Sequence, residues 1–405
     1  MSWRCALLRL LICVVLTGCT GHGSSERPGT SRSPSAGAPP AQSHTDGLKP
    51  PASIGIPYRP VDVPLRIADD RYARFVGNAV GATYMVLANP DAPASQVDED
   101  TAIVRIADRK KVATYVRSAP DRQLYRVFFW QEIAIVQEIT NIDAGEEGGR
   151  IHLSRYDLTS GSRTYLRPVD GRRLGFLGAA ALSGDQLGVA IEKDGQKDRC
   201  LHIFYLATGA EADGACLPPG ENGIFSIRAN SSGFTYLTTA GPTLASCRTA
   251  YWILLSTDTT AMTRVIGEHQ SCHVFDHARH GQWDVWSDIP AEADAVNNHT
   301  AAVLRAQRGS LTITIGPIDT GSVISCGDHL YWRRPDLTDR RFTQVARWRP
   351  GAPYAEVIYQ ANTDHDGEQW SLTFPACSQN VLTITQYRPG PTPPASKGMF
   401  YLPEA

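Results

Sequence analysis

Three groups of residues in this 405-residue chain have types and spacings that bind or react. The first is Asn362-Thr363-Asp364-His365-Asp366-Gly367. Side-chain oxygens at alternate positions, followed by a glycine that permits a sharp turn, match the front of a calcium loop. The back of the loop departs from that pattern: Trp370 and Thr373 stand where further oxygen donors belong. Two readings stay open. Either Asn362, Asp364 and Asp366 hold calcium, the one cofactor to be expected here, or the stretch is a polar connection built on Asx turns.

The second group is His269, His273, His277 and His280, with Asp276 among them. On a strand His273 and His277 share a face, but about 13 Å apart, too far to hold one metal ion. Polar residues lining a channel are the better account.

The third group is the cysteines, nine in all. Cys5 and Cys13 belong to an N-terminal segment with Arg4 and Arg9 ahead of a short apolar run that ends at Leu16-Thr17-Gly18-Cys19. A basic flank and an apolar run too short to span a bilayer make residues 1–18 a signal peptide. Small residues before a cysteine at its end resemble the bacterial lipobox. The resemblance implies cleavage before Cys19, lipidation of its thiol and a membrane-anchored protein on the extracytoplasmic face. Residues 20–52 are rich in Gly, Ser, Pro, Thr and Ala. Such a segment buries too little apolar surface to offset its chain entropy, so 19–52 reads as a lipidated tether and 53–405 as the folded domain.

Six cysteines remain in that domain: Cys200, Cys216, Cys247, Cys272, Cys326 and Cys377. An even number in an exported chain reads as disulfides, and six allow fifteen connectivities. The repeat described next favours sequential pairing, 200–216, 247–272 and 326–377. The sequence has no C-x-x-C pair, so cysteine-held zinc is not expected. A net charge of −2 with no basic stripe argues against nucleic acid as a partner.

The elements that must position these residues come from a repeat. "LRIADDRYARFVG", starting at Leu65, returns as "LRPVDGRRLGFLG" 101 residues later. Between and beyond them run short apolar stretches with two-residue alternation, broken by Gly, Asp, Asn and Pro. Strand–turn–strand units centre near Arg109, Gly161, Gly209, Thr259, Gly309 and Gly351. That period of about fifty residues, with two further strand-like runs ahead of each hairpin, is the signature of four-stranded propeller blades. The expected fold is all-β: a single propeller of seven four-stranded blades. The segment Val61–Ile67 would complete the last blade, closing the ring and leaving no open edge. Trp130, Trp252, Trp283, Trp286, Trp332, Trp348 and Trp370 are spread over the repeats and are expected mostly to pack between blades.

Over the whole domain this pattern resembles the bacterial WD40-like or TolB-like propeller lipoproteins. The Gly-His…Trp-Asp signature is missing, since Trp283-Asp284 occurs once and in the wrong part of its blade. No catalytic residue is carried over, and G-x-S-x-G is absent. The acidic stretches Asp98–Asp100 and Asp143–Gly149 and the stretch Ala291–Asn298 lengthen connections on one rim, where recognition surfaces are built. The expected function is a monomeric, membrane-anchored recognition or scaffold module for a protein or cell-envelope polymer. The alternative is an exported hydrolase or lyase acting on carbohydrate or peptide from an axial site.

Overall fold

The computed structural model describes residues 54–69, 80–87, 101–141, 143–145, 148–176, 178–193, 196–217, 223–230, 232–238, 250–254, 263–266, 274–288, 302–335, 344–361, 371–387 and 396–403. Ser53–Ala405 form one compact unit. It is a β-propeller whose blades follow one another in chain order, each built from inside to outside.

The second blade shows why the sequence folds this way. Its strands are Arg122–Trp130, Ile133–Thr140, Ile151–Asp157 and Arg163–Leu166, antiparallel throughout. The strand Ile133–Thr140 is buried at every position. A strand covered on both faces by neighbouring blades reads as a run rich in β-branched residues, interrupted here by Ala134, Gln137 and Glu138. The outermost strand, Arg163–Leu166, is polar and half-exposed. Third-to-fourth-strand turns sit at the places the repeat marks: Arg109, Gly161, Gly209, Gly309 and Gly351 all have positive φ. Thr259 lies outside the described residues.

The core is a series of layers between blades. Trp283 of the fifth blade meets Trp348 of the sixth edge-on, 5.2 Å between centroids, with Trp332 in the same layer. Between the third and fourth blades Gly188 lets the backbone come close: a Cβ there would lie 2.9 Å from the Phe234 ring. The tryptophans Trp283, Trp286, Trp332 and Trp348 are all buried.

The expected count of seven four-stranded blades is corrected to six among the described residues; the sheets are numbered in chain order, with a three-stranded one as the first. Six sheets among the described residues have four or more strands. The other, Tyr84–Leu87 with Ala102–Arg105 and Lys111–Thr114, has three. Residues 70–79 ahead of it are outside the described residues, and Val80 adds only a single bridge to Met85.

The ring closes through its N-terminal segment, in a more extended way than expected. Arg66–Asp69 pairs antiparallel with Ser396–Pro403 as the outer strand of the last blade. Upstream, Ile54–Gly55 adds a parallel strand outside Leu311–Ile318, and Tyr58–Pro60 another outside Ala355–Gln360. Tyr58 is the peg of this strap. Its ring lies under the Arg334 guanidinium at 3.9 Å and against Trp332, and burial pushes its phenol up to about 12. The glycine beneath it, Gly316, has no room for a Cβ, which would meet Tyr58 at 2.8 Å. On the other side of the seam Gln379 Oε1 accepts from the Ala82 amide, 2.9 Å.

Candidate ligand-binding site on the propeller axis

Because strands within a blade are antiparallel, the connections after second and fourth strands emerge on one face. This face carries the long connections and the entrances to the innermost strands. Three innermost strands break register: between Leu124 and Arg126, between Ile224 and Ser226, and between Val274 and His277. A bulge re-aims the side chains beside it and is a feature of functional sites. Here the bulged strands bring Arg126, Arg228 and Asp276 to the axis.

Arg228 is the centre. One of its terminal nitrogens donates to the Gly321 carbonyl, 3.0 Å, and lies 3.7 Å from Asp276 Oδ1. Asp276 Oδ2 accepts from the Gly321 amide at 2.5 Å. The Asp276 amide, freed from the ladder by the bulge, donates to Ser287 Oγ at 2.9 Å. Three strands of two neighbouring blades, and the connection that holds Gly321, thus converge on one ion pair. Arg126 and Tyr125 of the second blade lie within electrostatic reach of Arg228.

Enclosure dominates the electrostatics. Burial pushes the Asp276 carboxyl up to about 6, against the opposing pull of Arg228, the Gly321 amide and the Ser287 hydroxyl, while the charge of Asp319 adds to the rise. Burial likewise lowers Arg228; Asp276 resists and Arg126 adds to the fall. The two partners differ in exposure: the Asp276 side chain is 2% exposed and that of Arg228 26%. Arg228 thus keeps open surface, as a channel-lining group does.

A second pair flanks the first. Arg333 Nε donates to Asp319 Oδ2 at 2.5 Å, and a second guanidinium nitrogen reaches the same carboxylate. Ser322 pins this arrangement by accepting from the Arg333 amide at 3.1 Å and donating to the Asp319 carbonyl at 2.5 Å. Arg333 also donates to the Leu372 carbonyl, and its guanidinium lies 4.6 Å over the Phe374 ring. Phe374, in the break of the last blade's inner strand, is 41% exposed. The arrangement offers cations, a carboxyl group that exchanges its proton near neutrality, and an open aromatic edge. It is equipped to bind an anion.

The residues singled out in the sequence fall elsewhere. Cys200 and Cys216 form a disulfide across neighbouring strands of the third blade, and Cys326 and Cys377 one between the inner strands of the last two. Cys247, Cys272, Cys19 and the trio Asn362, Asp364 and Asp366 lie outside the described residues, as do His269 and His273. His277 does not line the axis: it is buried, with Asp284 at 3.5 Å, and His280 meets Ser325 Oγ at 2.9 Å. Asp276 alone among the described members of that cluster is axial. Among the described residues no three of His, Cys, Asp or Glu are placed to hold a metal ion. Arg126, Arg228, Asp319 and Arg333 are the residues the sequence reading missed. The one signal for the three arginines was a charge inside the apolar runs "LYRVFFW", "IFSIRAN" and "LYWRR"; Asp319, in "GPIDTG", carried none.

No protein-family model matches the chain, and no curated protein matches it. Solved propellers do. A prolyl endopeptidase is 15% identical at a TM-score of 0.44, over 66% of this chain and 40% of that one. The β-propeller domain of the Trilobed protease from Pyrococcus furiosus is 8% identical at 0.42, over 68% and 80%. The tricorn protease is 10% identical at 0.41, over 69% and 29%. The chain thus spans well under half of the prolyl endopeptidase and tricorn chains.

Proposed function

We propose that this chain is a recognition module of the cell envelope, held outside the cytoplasmic membrane by a lipid on Cys19 and a tether over residues 19–52. It acts as a monomer and binds a protein or cell-envelope polymer at the loop-bearing face, over the axis. The observation that carries the reading is the convergence of Arg126, Arg228 and Asp276 on the axis from three bulged strands. A rigid ring that concentrates charge at one enclosed point is a binding scaffold. A second reading draws on Asp276: a carboxyl near 6 beside an arginine is suited to general acid work in an axial hydrolase or lyase.

Photocross-linking tests the reading. A photoreactive residue is placed at Phe374, on the binding face, or at Leu311, at an outer hairpin of the opposite face, in the lipidated protein in its own membrane. Recognition predicts a defined adduct from Phe374 and none from Leu311. Equal adducts from both positions, or none from either, would contradict it. Turnover of peptide or glycan by the purified protein, lost in Asp276→Asn, would favour the enzyme.

A further inference from the structure

The axial charges do not cancel. Arg333 and Asp319 consume each other in a two-pronged pair. Asp276 is committed to Gly321 and Arg228. Arg126 has no ion pair among the described residues: its guanidinium lies 5.2 Å from the Tyr125 ring centroid and 5.8 Å from that of Phe128. One positive charge is left over on a half-buried side chain, within electrostatic reach of a second guanidinium that keeps open surface. A charge taken out of water without a partner is costly, and a ligand that supplies the partner recovers that cost.

We infer that Arg126 and Arg228 form a carboxylate-binding subsite at the centre of the ring, whose ligand is the C-terminal end of a polypeptide with an apolar last side chain. The inference rests on the axial recognition reading and gives it a ligand. Guanidinium groups pair with carboxylates and phosphates alike through parallel hydrogen bonds. Asp276 decides between them, because it stands beside Arg228 and repels whatever anion enters. The two guanidiniums less the ionised Asp276 leave one net positive charge, which a monoanionic carboxylate neutralises and a dianionic phosphate exceeds. The remaining wall explains the polypeptide. Phe374 offers an exposed edge while Arg333 covers part of its face, and Tyr125 lies beside Arg126. Rings so placed take an apolar side chain better than a stacked sugar.

The groups facing Asp276 set the pH dependence. They are Arg228 from the fourth blade, Ser287 from its own blade, Gly321 and Asp319 from the next connection, and, beyond Arg228, Arg126 and Tyr125. A carboxylate held beside Asp276 favours its protonated form. Binding therefore takes up a proton and strengthens as pH falls through about 6.

The test is calorimetric titration of the full lipidated protein in detergent. The probes are the peptide acetyl-Gly-Leu-Phe as free acid, the same peptide as C-terminal amide, inorganic phosphate and trigalacturonate. The free acid is expected to bind at least about tenfold more tightly than the amide, with proton uptake at pH 6. Arg126→Ala is expected to abolish the difference without lowering the unfolding temperature, and Arg126→Lys to restore part of it. Equal binding of acid and amide, or an unchanged preference in Arg126→Ala, overturns the subsite. Tighter, Arg126-dependent binding of phosphate overturns the carboxylate, and of trigalacturonate the polypeptide. If adducts from Phe374 persist while acid and amide bind alike, only this inference fails. If the adducts also vanish, the axial recognition reading fails with it.

Discussion

Glu138 and Asp276 are both carboxylates buried in the ring, and they are treated in opposite ways. Glu138 stands on the second strand of its blade, where one oxygen accepts from Tyr115 Oη at 2.5 Å and from the Ser118 amide at 2.8 Å. Its other oxygen faces Arg163 at 3.8 Å. These partners come from the link between the first two blades and from its own outer strand, so the group locks neighbouring sheets together. Asp276 stands on an innermost strand, with the Gly321 amide, the Ser287 hydroxyl and an arginine 3.7 Å away that also faces the channel. Donors from a neighbouring link and an outer strand tie the Glu138 carboxylate into the architecture. Enclosure that outweighs the donors at Asp276 leaves its charge expensive and the group responsive to what arrives. The first is architecture; the second is a binding site.

The sharpest way to break this contrast is to remove each group. Glu138→Ala should cost about 3–5 kcal/mol in urea unfolding, because it strands Arg163 and two donors in the core. Asp276→Asn at neutral pH should leave stability unchanged or raise it, since it removes a penalised charge. If the two variants destabilise equally, the distinction is lost.

The next effect depends on pH. The folded state holds the Asp276 proton to about 6, above the ordinary aspartate value of 3.8. The contribution of this group is therefore fully present below the unfolded value and is lost as pH rises through about 6. Wild type minus Asp276→Asn stability should fall by about 3 kcal/mol between pH 3.5 and 7. Taking the difference removes carboxylates of opposite sign, such as Asp213 and Glu356, both held low chiefly by their arginine partners against their own burial. A flat difference would show that Asp276 titrates normally.

The disulfides extend the comparison of axis and rim. Cys326–Cys377 spans 51 residues and Cys200–Cys216 spans 16. Chain entropy then predicts that replacing the axial pair by serines costs about 1 kcal/mol more than replacing the rim pair. Equal losses in denaturant unfolding would mean that the closed loop length does not govern them. The smallest effect belongs to the outer hairpins, where Gly161 sits at φ 71°. Gly161→Ala should lower stability by about 1 kcal/mol and leave peptide binding untouched.

The period, the hairpin centres and the closing strand were legible in the sequence because each depends on local turn chemistry and two-residue alternation. Positive φ at Gly161, Gly209, Gly309 and Gly351 is what a glycine at a hairpin centre announces. The strap was not legible. Ile54–Gly55 and Tyr58–Pro60 are too short, and too close to Pro57 and Pro60, to read as strands. The axial site was hidden for a different reason. Strict alternation from His273 puts His277 on the chosen face and Asp276 on the other, and the irregularity between Val274 and His277 breaks that alternation. Arg126 and Arg228 sit beside or beyond the same kind of break. A bulge changes which face a residue serves without changing the composition around it.

The most direct test of the axial account is a carbon-13 titration of the Asp276 carboxyl in the full chain, assigned by comparison with Asp276→Asn. The account predicts a midpoint near 6 for the free protein. It also predicts a further rise on adding acetyl-Gly-Leu-Phe acid and none on adding the amide. A midpoint in the ordinary carboxylate range, near 4 and indifferent to the acid, would contradict it.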